Sequence, residues 1–170
     1  MKTLLILRHG KTQPDAPNGD HARDLLVRGR RDSEAIGTYI GETIGVPNAI
    51  FTSDAQRALH TARIVARMIG FDEEQLTIVP QIYGADLRTL VALVRSILDE
   101  IDTAVLIGHN PSFEELTAAL AGIDEDDVRL PTAALAHLEF DVDHWDDAQQ
   151  GTGRLIAITT PKMLAAAAAE

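Results

Sequence analysis

No cysteine occurs among the 170 residues of this chain. Disulfides, thiolate nucleophiles and cysteine-ligated metal centres are excluded with it. No apolar stretch approaches the length of a membrane span. Met1-Lys2-Thr3 leads straight into the first apolar run without a secretory segment, so cytoplasmic residence is the expectation. Positive charge is scarce: 15 Lys and Arg face 26 Asp and Glu, a formal net charge of −11. That balance argues against nucleic acid as a general partner. There is no Gly-x-x-x-x-Gly-Lys-Ser/Thr loop, and a P-loop nucleotide mechanism lacks support. No carboxylates or histidines show convincing metal-ligand spacing, so neither a metal nor another cofactor is expected. Internal repeats are absent too. What is present is ordinary for a globular protein, with 45% hydrophobic and 24% charged residues. One domain with a sizeable core follows from the length.

Short apolar runs alternate with helix-like segments. Leu4–Leu7, Ala49–Thr52, Leu76–Val79 and Ala104–Ile107 read as strands. Arg28–Ile44 has near-helical spacing and is closed by Gly45-Val46-Pro47. Ser53 or Asp54 can cap a second helix running to Met68 or Ile69, with Gly70 as its stop. Asp86–Ile101 is strongly periodic, and Ser112–Leu120 reads as a further helix. Leu135–Phe140 and Leu155–Thr159 are the last strands, joined by an acidic connection without a helix. The alternation predicts an α/β fold, a mostly parallel central sheet with helices on both faces. One strand of the closing pair is expected to run antiparallel. Asp15–Asp24, with Pro17 and Gly19, reads as a loop. The alanine-rich end at 163–170 reads as a terminal helix turn or a frayed end.

Arg8, His9 and Gly10 stand where the first strand ends. Ligands of open α/β sheets bind at the carboxyl ends of the strands. A cation and an imidazole there suit an anionic substrate and a histidine nucleophile. His109, after the run Ala104–Gly108, repeats the pattern at a second strand end. Arg57 opens the helix after the second strand. A cation is poorly placed for the helix dipole there, which hints at a functional role. Arg23 lies in the polar loop. Each residue alone also fits a bland reading, a surface ion pair or a structural histidine. Taken together, three arginines and two histidines converge on one sheet edge. Arginine is the preferred binder of multi-oxygen phosphate, and histidine can carry a phosphoryl group. His60, His137 and His144 read as packed or solvated. His21 stands close enough to Arg23 to border a pocket.

Four blocks carry a resemblance. Leu5-Ile6-Leu7-Arg8-His9-Gly10-Lys11, Arg23-Asp24-Leu25-Leu26-Val27-Arg28-Gly29, Ser53-Asp54-Ala55-Gln56-Arg57-Ala58-Leu59-His60-Thr61-Ala62 and Ile107-Gly108-His109-Asn110-Pro111 look like the histidine phosphatase superfamily. The length and block order are similar to its SixA branch of phosphohistidine phosphatases, and Pro131-Thr132-Ala133-Ala134 resembles a late loop of that branch. The resemblance implies a phosphoglycerate mutase-like domain over 1–162, with 163–170 as a tail. It implies His9 as nucleophile, with Arg8, Arg57 and His109 on the phosphoryl oxygens. Arg23 and Gly10 would complete substrate binding. Many members place a carboxylic acid after the third strand as proton donor to an alcohol. Here that stretch reads Pro80-Gln81-Ile82-Tyr83-Gly84-Ala85-Asp86, and Asp86 looks like a helix cap. Tyr83, Glu114, Asp20 and Asp15 are the remaining candidate donors.

The expected activity is hydrolysis through a phosphohistidine enzyme intermediate, on protein phosphohistidine. A small-molecule phosphomonoesterase acting on a sugar phosphate or nucleotide is the enzymatic alternative. A non-catalytic phosphate-binding module on the same fold is the other. The expected partner is a phosphohistidine protein or small phosphorylated substrate, with neither nucleic acid nor membrane. The sequence leaves the oligomeric state open.

Overall fold

Leu4, Leu5, Ile6 and Leu7 are fully buried in the central strand β1, Lys2–Arg8, of the computed structural model, which describes residues 1–170. Their side chains alternate between two clusters. Leu4 and Ile6 join one, Leu5 and Leu7 the other. A strand covered on both faces reads as a continuous apolar run. Each such side chain contributes about 1.5–3 kcal/mol by leaving water.

The remaining strands are β2 (Ala49–Thr52), β3 (Thr77–Ile78), β4 (Thr103–Gly108), β5 (Leu135–Phe140) and β6 (Gly153–Thr159). They form a six-stranded sheet in the order β3-β2-β4-β1-β5-β6. β1 through β4 run parallel, and β5 is antiparallel to both its neighbours. Helices α1 (Val27–Thr43) and α2 (Gln56–Ile69) cover one face, with Ile36, Ile40, Ala62 and Val65 in its core. Helices α3 (Leu87–Arg95) and α4 (Ser112–Ala121) cover the other, with Leu90, Val94, Phe113 and Leu116. The α/β layering read from the alternation is therefore present, including the reversed strand near the end. No helix is long and apolar enough to cross a membrane.

Three elements differ from the sequence reading. β3 holds two exposed residues rather than Leu76–Val79, because it is an edge strand paired only with β2. α3 stops at Arg95 although its apolar period continues to Ile97 and Leu98. There the Ser96 hydroxyl turns back to the Leu93 carbonyl. The chain then leaves the helix to bring Asp99 to Lys2 and to the Trp145 amide. α2 has Ala55 at its N-cap, and no side chain caps it. Ser53 and Asp54 are instead engaged by His109 and His21. At the C-terminal end, Pro161–Ala168 form α5, and Leu164 packs against the core that α1 and α2 share.

Two glycines set how the first loop meets α1. A Cβ on Gly29 would lie 2.1 Å from the Lys11 carbonyl oxygen, and one on Gly10 would lie 2.6 Å from the Gly29 carbonyl oxygen. This close approach lets Leu26 N–H donate to Lys11 and pairs Thr12 with Leu25. Gly29→Ala should destabilise the fold by about 1–3 kcal/mol, since backbone must move to admit the methyl group. A thermal melt of the variant checks this, and an unchanged Tm would refute it.

Candidate active site

Register alone brings the functional strand ends together. Arg8 pairs with Gly108, and Thr52 pairs with Ile107. His9, Ser53 and His109 thus follow three adjacent parallel strands at their carboxyl ends, where ligands of such sheets bind. The cavity at this edge measures about 420 Å³ and is lined by Arg8, His9, Arg23, Arg57 and His109, among others.

His9 is buried, and its Nδ1 lies 2.8 Å from the Gly10 carbonyl oxygen. A carbonyl only accepts, so Nδ1 carries the proton and Nε2 keeps its lone pair. Burial, with His109, Arg57 and Arg8 close by, pushes the imidazole down to about 3. Burial first and Arg57 second push His109 down to about 4. Both rings are therefore neutral at pH 7. Their centroids stand 5.2 Å apart. His109 Nε2 is 2.8 Å from the Ser53 hydroxyl, while its Nδ1 is buried without a partner.

The sign of the pH dependence follows. In an unfolded chain both histidines take up protons near pH 6.5, whereas the folded state resists this down to about 3 and 4. Between those values the unfolded chain holds more protons, so stability falls as pH drops from about 6.5 toward 4. NMR titration should leave the His9 and His109 ring signals unmoved from pH 8 to about 5. Midpoints near 6.5 would contradict the burial argument.

Each of the cations is fixed by partners in the protein. Arg8 donates to the Leu130 carbonyl at 3.0 Å, its Nε is buried and unpartnered, and burial lowers its pKa. Arg57 is buried at the start of α2 and donates to the Asp20 carbonyl at 2.8 Å and carboxylate at 3.1 Å. Arg23 spans the Gln13 carbonyl, the Thr12 hydroxyl and the Asp20 carboxylate. Fixed donors around two neutral imidazoles form a site for a tetrahedral oxyanion.

Residues 4–83 match the model of the histidine phosphatase superfamily, branch 1. An uncharacterised protein of Mycobacterium tuberculosis is 26% identical over 164 residues, 92% of this chain and the whole of the relative. A structure provisionally named phosphohistidine phosphatase SixA, from Agrobacterium tumefaciens, is 28% identical with a TM-score of 0.77, covering 94% of this chain and 98% of its own. The first half of the chain thus resembles the histidine phosphatase superfamily, and nearly the whole chain is similar in fold to the Agrobacterium structure. A structure of the protein histidine phosphatase SixA complexed with tungstate shares the fold, with a TM-score of 0.83 at 21% identity over 95% of this chain and 99% of that one.

The four candidate proton donors are placed differently. None of the four lines the cavity, but Asp20 and Tyr83 contact residues that do. Tyr83 donates to Asp20 at 2.7 Å, with its ring edge-on to His109 and to His21. That bond and those from Arg23 and Arg57 hold the Asp20 carboxyl far below the usual carboxylate range. The same bond to Asp20 raises the Tyr83 phenol. Neither group readily releases a proton, and Asp20 carries none at neutral pH. Asp15 is exposed and does not line the cavity. Glu114 does not line it either; its carboxylate accepts the Leu130 amide at 2.7 Å and faces Arg8. Glu114 thus anchors the loop that Arg8 also grips.

Gly10 lies outside the cavity lining, and its N–H is committed to the Thr61 hydroxyl. Close packing against Gly29, rather than contact with substrate, explains the glycine. His21 is not among the residues lining the cavity; it pairs with Asp54 at 2.9 Å and stacks edge-on with Tyr83. The cavity also takes in Lys11, Thr12, Asn110 and Thr132, which sequence reasoning did not single out. Asn110 follows His109 directly, and its position was the available signal. Thr132 is delivered by a turn in which Ala133 adopts φ 59° and donates to the His9 carbonyl. The available signal was the likeness of Pro131-Thr132-Ala133-Ala134 to a late loop of the SixA branch, while the positive φ of Ala133 is not readable from its residue type.

His109→Ala should lower turnover about 10²–10³-fold, the usual cost of one lost oxyanion donor. Steady-state kinetics with an aryl phosphate measures it. A change below threefold would remove His109 from the chemistry.

Proposed function

We propose that this phosphatase removes phosphoryl groups from protein phosphohistidine, with His9 as nucleophile and Arg8, Arg23, Arg57 and His109 as the oxyanion pocket. The observation that carries the reading is the neutral His9 imidazole, with Nδ1–H on the Gly10 carbonyl and Nε2 free at the cavity. The state of Asp20 supports the substrate class. An alkoxide must be protonated as it departs, and the carboxylate at this site holds no proton. A phosphohistidine ring protonated on its far nitrogen departs as neutral imidazole and needs no acid.

The proposed step balances without further groups. Nε2 of His9 attacks phosphorus as the P–N bond of the substrate breaks. The substrate ring keeps its proton and leaves neutral. His9 keeps Nδ1–H and becomes the protonated phosphoimidazole, its new positive charge facing the Gly10 carbonyl. In the second step water attacks phosphorus, and His9 leaves as the same neutral tautomer. The water's proton passes to the phosphate product. Positioning and fixed positive charge are what such transfers mostly require. The local arginines supply that charge despite the acidic whole.

The name of the Agrobacterium structure supports the same class. A competition between a phosphohistidine protein and alkyl phosphates tests it. The proposal expects kcat/KM to favour phosphohistidine by at least about 10²-fold, the lower range for a positioned general acid. Equal turnover of alkyl phosphates would leave the nucleophile in place and overturn the substrate assignment.

A further inference from the structure

We propose that Ser53 is a positioning residue that fixes the tautomer of His109, so that a buried Nδ1–H faces the phosphoryl group. This rests on the oxyanion pocket proposed above and names the group that prepares one of its donors. Ser53 directly follows β2, is fully buried, and its amide is bonded to the Ile107 carbonyl of β4. Its side chain is therefore held beside His109 by the sheet itself. Two contacts engage the hydroxyl. It accepts the Ala55 amide at 3.2 Å and stands 2.8 Å from His109 Nε2.

The proton count decides the direction of the second bond. The amide of Ala55 can only donate, so it occupies a lone pair of the Ser53 oxygen. The Ser53 proton then has one partner in the structure, the lone pair of His109 Nε2. Were Nε2 protonated instead, the Ser53 O–H would be a buried donor with no acceptor, a costly arrangement. Once Nε2 accepts, the neutral ring must carry its proton on Nδ1. Nδ1 is buried and has no partner in the protein. A buried orphan donor at an anion site is a preorganised donor for that anion. The opposite tautomer would turn a lone pair toward the phosphoryl oxygens.

His9 and His109 then share one tautomer and present opposite atoms. His9 satisfies Nδ1–H on Gly10 and offers the lone pair of Nε2. His109 satisfies Nε2 on Ser53 and offers Nδ1–H. The depressed basicity of both rings keeps this division intact at neutral pH. Ser53 does not touch the reacting phosphorus and acts through His109.

Long-range ¹H–¹⁵N NMR of the full chain, with ¹⁵N-labelled histidine, reads the tautomer directly. The wild-type protein should show His109 protonated at Nδ1 and unprotonated at Nε2. In Ser53→Ala the ring should move toward Nε2–H, kcat for phosphoramidate should fall about 10–10²-fold, and vanadate binding should weaken in parallel. Nε2–H in the wild type overturns the proposal, even if the variant does not fold. So does a folded Ser53→Ala that keeps the Nδ1–H tautomer and turns over within twofold of wild type. If the expected tautomer responds to Ser53 and governs vanadate affinity, but no phosphorylated compound is hydrolysed, the positioning role stands and the proposed function falls.

Discussion

His9→Ala is expected to lower turnover by about 10⁵–10⁶-fold while the fold persists. Nucleophiles that work within a unit show losses of that order, and the remaining groups cannot act in their place. The loss should appear in kcat, because Arg8, Arg57 and His109 would still gather the anion. Vanadate should still bind the variant, within about tenfold of wild type, since a pocket lined by three arginines keeps its positive charge. Stopped assays with phosphoramidate and an aryl phosphate measure turnover, and circular dichroism checks the fold. Appreciable hydrolysis by folded His9→Ala would place the nucleophile elsewhere. His109 is the one other imidazole lining the cavity, but with Nε2 held by Ser53 it would be the wrong nitrogen for attack.

The second large effect belongs to Arg57. Arg57→Ala should cost about 10³–10⁵-fold in kcat, the range for an arginine that stabilises charge during phosphoryl transfer. This residue is buried at the helix start, where the free amides already favour anions, and its guanidinium reaches the cavity with two forked contacts to Asp20. Substrate oxygens compete with the Asp20 carboxylate for this fork. Arg57→Lys should recover little, because a single ammonium cannot reproduce the fork geometry. In both variants Asp20 loses a partner that holds it ionised, and its titration should move upward. Kinetics on the two variants, with the Asp20 carboxyl followed by ¹³C NMR, checks both statements. Full activity in Arg57→Lys would reduce Arg57 to a point charge.

Several members of the candidate site follow a local signal that gains weight only in combination. His9 and His109 end strands whose apolar runs are continuous, since both sheet faces are covered. Arg57 opens a helix with the wrong charge for its dipole. Arg23 has the weakest local signal, a polar loop, and the resemblance of its block strengthened it. The fold was legible for the same reason, with β2 and β5 read to the residue. What stayed hidden depends on contacts between distant positions. Asp20 meets Arg57 across 37 residues and Tyr83 across 63, so its ionised state could not be read locally. It looked like a candidate acid and is held as a base. Ser53 lies 56 residues from His109 and looked like a helix cap. Gly10 looked like a substrate contact, although steric pressure from Gly29 explains it. The two-residue β3 and the early end of α3 were lost because an exposed edge and a tertiary anchor at Asp99 override periodicity.

In the proposed reaction the phosphoryl group passes through the Nε2 atom of His9. Rapid quenching of wild-type enzyme with ³²P-labelled phosphoramidate, followed by peptide mapping, tests it most directly. An acid-labile, base-stable label is expected on the peptide bearing His9, formed within one turnover and absent from His9→Ala. Label on a serine, aspartate or glutamate, or hydrolysis in a single turnover with no covalent intermediate trapped, would contradict it.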